Sequence, residues 1–220
     1  MKRRSTLLLV ALAGLAGCSA PGAAVPAISA SRTGVPDYGW PARDLSLASG
    51  FCFTLVRGLT PVQVAERLGG TELERVEWLR LVGGGDGERA GADRYFIGVA
   101  RVGDWSLIVE DNGALGVTQR LVRPLSAGGS VLAYRNDAQG RERLLVLRDE
   151  EVVLDYDSGA SGPIPAEWEP ELRVAGLVGD TTVTQPTVPA LTFLAGQTGV
   201  QLTRELLTER TYLLVTVPKA

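Results

Sequence analysis

Hydrophobic and polar positions switch repeatedly between a period of two and a helical period from Phe51 to Val217. Phe51, Phe53 and Leu55 share one side of Phe51–Arg57, and Cys52, Thr54 and Val56 the other, which predicts a strand buried on both faces. After a turn at Gly58-Leu59, Thr60-Pro61-Val62-Gln63 forms a capping box with proline at the first helical position. Val62, Ala65 and Leu68 follow on one helix face, and Gly69-Gly70 stops it. A second capping signature, Thr71-Glu72-Leu73-Glu74, leads a series of Leu73, Val76, Leu79 and Val82, which predicts a second helix. A glycine-rich loop at 83–87 separates it from Tyr95–Val102 and Trp105–Glu110, a hairpin turning at Gly103-Asp104. Asp111-Asn112-Gly113 reads as an Asx turn, and Thr118–Arg123 as a short helix ending before Pro124.

A meander follows: Val131–Arg135, Arg143–Leu147 and Val152–Tyr156, with turns at Asp137–Gly140 and Asp149-Glu150. Alternation turns Val152, Leu154 and Tyr156 inward and Val153, Asp155 and Asp157 outward. Pro163–Pro170 is a loop holding Trp168. The chain then reads as a helix over Ala190–Gln197 stopped by Gly199, a shorter one after Thr203, and a last strand at Tyr212–Val217. The expected class is α+β: an antiparallel sheet of hairpins and a meander with a few short helices packed on it.

The N-terminus follows another logic. Lys2-Arg3-Arg4 precede the apolar run Thr6–Ala16, which at roughly eleven residues is too short to span a bilayer and fits the core of a secretory signal. Leu15-Ala16-Gly17-Cys18 resembles a bacterial lipobox. The thiol is the nucleophile that accepts diacylglycerol, and small residues before it admit the peptidase; two acyl chains, palmitate among them, give stable anchorage. The expected organisation is a signal peptide over 1–17, lipid attachment at Cys18, a flexible Ala/Pro/Gly/Ser linker over 18–45, and one globular domain over 46–220. Tyr38 and Trp40 are expected to dock on that domain. The expected address is the extracytoplasmic face of the cell membrane, with the membrane as partner through the anchor.

Composition narrows the chemistry further. The 220 residues are 45% hydrophobic and 21% charged, a globular balance. There is no histidine, and lysine occurs only as Lys2 and Lys219. Histidine acid–base catalysis, Ser-His-Asp and Cys-His pairs, and phosphate-loop lysine chemistry therefore drop out. Removing residues 1–17 takes three of the 22 basic side chains and no acid, leaving 19 against 25 and a net charge of −6. Such a domain does not attract phosphate backbones, so no nucleic-acid partner is expected. Cys52, the remaining cysteine, reads as a small buried hydrophobe.

The stretches FCFTLVRGLTPVQVAERLGG, GVARVGDWSLIVEDNGALG with the following LSAGG-strand, and TGVQLTRELLTERTYLLVTV resemble an uncharacterised actinobacterial family, domain of unknown function 6461. The resemblance covers most of Phe51–Val217. Its motifs are a strand, a capped helix and a hairpin, and it implies no activity, cofactor or catalytic residue.

Two acidic clusters remain: Asp149, Glu150, Glu151, Asp155 and Asp157, then Glu167, Glu169 and Glu171. Paired carboxylates can hydrolyse glycosides, and Asp155 with Asp157 on one strand face can hold a hard cation. A solvated strand face and an acidic turn explain them more simply. Glu110-Asp111-Asn112 lacks calcium-loop spacing, Glu88-Arg89 after the glycine loop lacks the phosphate-loop signature, and Trp105 reads as core. No catalytic, metal or cofactor residue is therefore nominated, and the binding residues stay unassigned. The function expected is a surface-tethered, non-enzymatic binding or interaction module for a protein or glycan. The alternative is a carboxylate-dependent hydrolase acting on cell-wall or extracellular glycans.

Overall fold

The computed structural model describes residues 36–83, 93–158, 163–179 and 187–219. The expected signal peptide, the lipobox residues Leu15, Ala16 and Gly17, the anchor residue Cys18, most of the expected linker and most of the glycine loop lie outside them.

The alternating segments become strands β1 (Gly50–Arg57), β3 (Arg94–Val102), β4 (Trp105–Asp111), β5 (Ser130–Asp137), β6 (Glu142–Arg148), β7 (Glu151–Asp157) and β8 (Thr211–Pro218), joined by β2 (Thr71–Glu77). They form one sheet in the order β2-β8-β3-β4-β1-β5-β6-β7, with every neighbouring pair antiparallel. Helices α1 (Pro61–Arg67), α2 (Trp78–Leu81), α3 (Gln119–Val122), α4 (Glu169–Ala175), α5 (Thr187–Thr198) and α6 (Arg204–Thr208) are short and cover both faces. The architecture is α+β, as the hydrophobic pattern predicts.

A first face carries Phe53, Leu55, Leu107, Tyr134, Leu144 and Tyr212 under Trp40, Trp78, Leu172, Phe193 and Leu207. The second carries Cys52, Val56, Ile108, Val131 and Leu145 under Val64, Leu68, Leu115 and Val122. Central β1 is buried on both sides because both faces are roofed. The capping box forms as read: the Thr60 N–H donates to Gln63 Oε1 at 2.9 Å, and the Gln63 N–H donates to Thr60 Oγ1 at 3.3 Å. The Gly103 turn and the β3–β4 hairpin also form.

Two expectations are corrected. Residues 71–77 are the edge strand β2 rather than a helix, paired to β8 with a bulge between Glu72 and Arg75. Only Val76 of this strand is buried. The threefold spacing of Leu73, Val76 and Leu79 imitates a helix face, but Leu73 and Leu79 stand exposed; backbone pairing with β8 overrides the local pattern. In β7 a bulge pairs Val146 with Leu154 and Leu147 with Val152, leaving Val153 as the extra residue. Val152 therefore packs on the second face, while Val153, Leu154 and Tyr156 pack on the first.

The folded body also takes in residues upstream of Ser46. Tyr38 and Trp40 are buried, with the Trp40 Nε1–H donating to the Leu202 carbonyl at 2.9 Å. The Trp40 ring lies 6.3 Å from Phe53 and 6.0 Å from Trp78.

Candidate functional site

Polar chemistry concentrates where β5 turns into β6. Asp137 builds the turn: its Oδ1 accepts the N–H groups of Gln139 at 3.0 Å and Arg141 at 2.9 Å. Its Oδ2 accepts Arg141 Nε at 2.8 Å and Arg135 Nη1 at 3.4 Å. Burial works to raise the Asp137 carboxyl, yet the bonds from Arg141 and Gln139 hold it below the usual carboxylate range.

Register then aligns charge across three strands. Arg135 faces Arg143 on β6, and Arg143 faces Asp157 on β7, all on the second face. The Arg143 guanidinium grips Asp155 with two bonds, Nε–Oδ1 at 2.7 Å and Nη2–Oδ2 at 2.6 Å, and Gln119 of α3 donates to Asp155 Oδ2 at 2.8 Å. Arg143 thereby holds the Asp155 carboxyl below its ordinary range. Arg135 Nε donates to the Gly113 carbonyl at 2.9 Å. With Thr118 and Gln119 opposite, Arg135, Asp137, Arg141, Glu142, Arg143 and Asp157 line a groove of about 590 Å³.

The first face of the same sheet end holds a buried cluster. Asn136 faces Glu142 across β5 and β6. Only 3% of Glu142 is exposed. Its Oε1 accepts the Tyr134 hydroxyl in a short bond and Asn136 Nδ2 at 3.2 Å. The Tyr134 hydroxyl also lies 3.0 Å from Thr187 Oγ1, in the first turn of α5. Glu142 Oε2 is buried and has no hydrogen-bond partner among the described residues. Burial pushes the Glu142 carboxyl up to about 7, against the pull of the bonds from Tyr134 and Asn136.

Another buried acid, Glu110 on β4, has a different job. The Leu115 N–H donates to Oε2 at 2.9 Å and the Gly116 N–H to Oε1 at 2.8 Å. Burial raises its carboxyl and these two amides pull it back. Loop 112–117 is moulded to it so closely that a Cβ on Gly113 would lie 2.0 Å from Glu110 Oε2. Glu110 is a fastener of the fold.

The acids nominated from sequence do not converge. Asp155 is committed to Arg143 and Gln119, Asp149 and Glu150 form a tight turn at φ 47° and 67°, and Glu169 pairs with Arg173 at 2.7 Å on the surface of α4. Trp105 is core, its Nε1–H donating to the Thr198 carbonyl at 3.1 Å. Cys52 is fully buried, and burial pushes its thiol well up, away from reactivity. Among the described residues no group of three or more cysteine or acidic side chains is placed to hold a metal ion, and no helix is long and apolar enough to cross a membrane. Sequence reasoning passed over Glu142, Tyr134 and Arg143. The signal was present for the first: Glu142 falls in phase with Leu144 and Val146, so alternation alone places a carboxylate on the core side.

Fold and site together define an α+β domain with an open antiparallel sheet and a paired-charge groove at one end. The chain belongs to the family of unknown function DUF6461, whose model matches residues 31–220. Neither curated proteins nor solved structures yield a match.

Proposed function

We propose that this protein is an actinobacterial lipoprotein, held by diacylglycerol and palmitate on Cys18 at the extracytoplasmic face of the cell membrane, whose domain is a non-catalytic binding module. The N-terminal pattern of charge, short apolar run and Leu15-Ala16-Gly17-Cys18 supports the address.

The groove supports the binding role. Asp137 meets Arg141 inside it, and Arg143 on its wall is bonded to Asp155, so charge is balanced while guanidinium, amide and hydroxyl groups remain along its walls. Such a surface recognises a polar partner by hydrogen bonds rather than by net charge, which suits a glycan or a polar protein loop. The hydrolase reading gains no comparable support. Asp155 is tied down by Arg143, and Glu142, although it lines the groove, has its carboxyl engaged by Tyr134 and Asn136.

Both parts are testable. Labelled palmitate should enter the wild-type chain and not Cys18→Ser, which should leave the membrane fraction; an unlabelled wild type defeats the address. Soluble cell-wall glycan fragments, titrated against the Cys18→Ser chain, should bind saturably and unchanged, and Arg141→Ala should weaken binding by about tenfold. Fragment cleavage that disappears in Asp157→Asn would establish the hydrolase instead.

A further inference from the structure

Thr187, the first residue of α5, is tied to the sheet through side chains that also serve Glu142. Its Oγ1 lies 3.0 Å from the Tyr134 hydroxyl and 3.3 Å from Asn136 Nδ2. Tyr134 has one hydroxyl hydrogen, which goes to Glu142 Oε1. Thr187 must therefore donate to Tyr134, giving a directed chain from Thr187 through Tyr134 to Glu142. That chain ends at a carboxyl whose second oxygen is sealed from water and, among the described residues, has no hydrogen-bond partner.

We propose that Glu142 is a proton-operated latch: as a neutral acid it holds the start of α5 on β5 and β6, and on ionising it lets that end of the helix go.

Among the described residues, the surroundings supply no counter-charge. From β5 the facing groups are Tyr134 and Asn136. From β7 the facing group is Tyr156, whose phenol is raised by burial and by the Glu142 charge. No residue of α5 carries an ionisable side chain. Arg141 and Arg143, next to Glu142 along the chain, are bonded to Asp137 and Asp155. An anion at Oε2 therefore has only the two bonds at Oε1 to stabilise it, and the direct remedy is water. Water reaches Oε2 when the first turn of α5 lifts. Linkage fixes the direction. The Glu142 carboxyl is raised from 4.5 to about 7 in the closed form, so protons favour closure and loss of the proton as pH rises through 7 favours opening.

Amide hydrogen exchange on the full chain carrying Cys18→Ser tests this. After correction for intrinsic exchange, amides of residues 190–194 should lose about tenfold protection between pH 6 and pH 8 while those of β1 and β4 hold. Glu142→Gln should keep the protection and abolish its pH dependence. Constant protection in the parent, or an unchanged pH dependence in Glu142→Gln, overturns the latch. Should Glu142→Gln fail to fold, Tyr134→Phe decides. Removing the donor that favours the anion must move the transition to higher pH, and an unmoved transition refutes the proposal.

Discussion

A methyl group has opposite consequences at two glycines of this chain. Gly113 sits against Glu110, and an added Cβ would meet Oε2 at 2.0 Å and the Glu110 Cβ at 2.7 Å. Neither neighbour can retreat, because Glu110 is fully buried and clamped by the Leu115 and Gly116 amides. Gly113→Ala should cost about 2–3 kcal/mol in urea unfolding, the scale of overpacking combined with a broken buried bond. Gly196 is exposed within α5, where an added methyl would meet nothing within 4 Å and φ is not positive. Gly196→Ala should add roughly 0.5–1 kcal/mol, because alanine restricts the unfolded chain and favours the helix. Equal effects at the two sites would refute the described geometry around Glu110.

The two outer strands carry charge for a reason that belongs to elements rather than residues. β2 presents Glu72, Glu74, Arg75 and Glu77, and β7 presents Glu151, Asp155 and Asp157. Both also contain bulges. An open antiparallel sheet leaves unpaired backbone groups along its edges, and charges with bulges discourage a second chain from adding there. Glu74→Val combined with Glu77→Val should therefore leave the melting temperature within a few degrees yet produce self-association, read by light scattering across a concentration series. A monodisperse double variant would count against this reading.

Legibility followed the same division. Interior strands such as β1 and β5 announce themselves because both faces bury side chains in strict alternation. β2 buries one residue, so its letters carry a capping signature and a spurious helical spacing instead of a strand period. The bulge in β7 is invisible in the sequence because one extra residue leaves no compositional mark. The groove is partly readable, since Asp155 and Asp157 stand out as neighbouring acids on one strand. The arginine that restrains Asp155 depends on β6–β7 register. The Glu142 cluster depends on Tyr134 meeting Thr187 across 53 residues, which no local spacing encodes.

At the scale of the molecule, the titrating groups oppose one another. Asp137 and Asp155 have lowered carboxyls, so their stabilisation is present above the unfolded value of 3.8 and is lost as pH falls through their folded values. Glu142 and Glu110 are raised from 4.5, so their contribution is full below that value and fades as pH rises, for Glu142 through about 7. Stability should therefore peak in mildly acidic solution and decline from pH 5 to pH 8. Glu142 alone accounts for at most about 3 kcal/mol, or several degrees of melting temperature. Scanning calorimetry across that range checks the sign, and Glu142→Gln should flatten most of the slope. A melting temperature that climbs toward pH 8 would contradict the assignment.

The strand order has a temporal corollary. β8, the last strand of the domain to be synthesised, lies between β2 and β3, two strands made well over a hundred residues earlier. Until Thr211–Pro218 emerges from the ribosome, β2 has no neighbour and β3 has only β4. The nascent polypeptide must therefore wait, half-assembled, for its closing segment. Shortening the polypeptide before Thr211 would thus strand β2 and β3 alike, because one late segment supplies the shared partner of both.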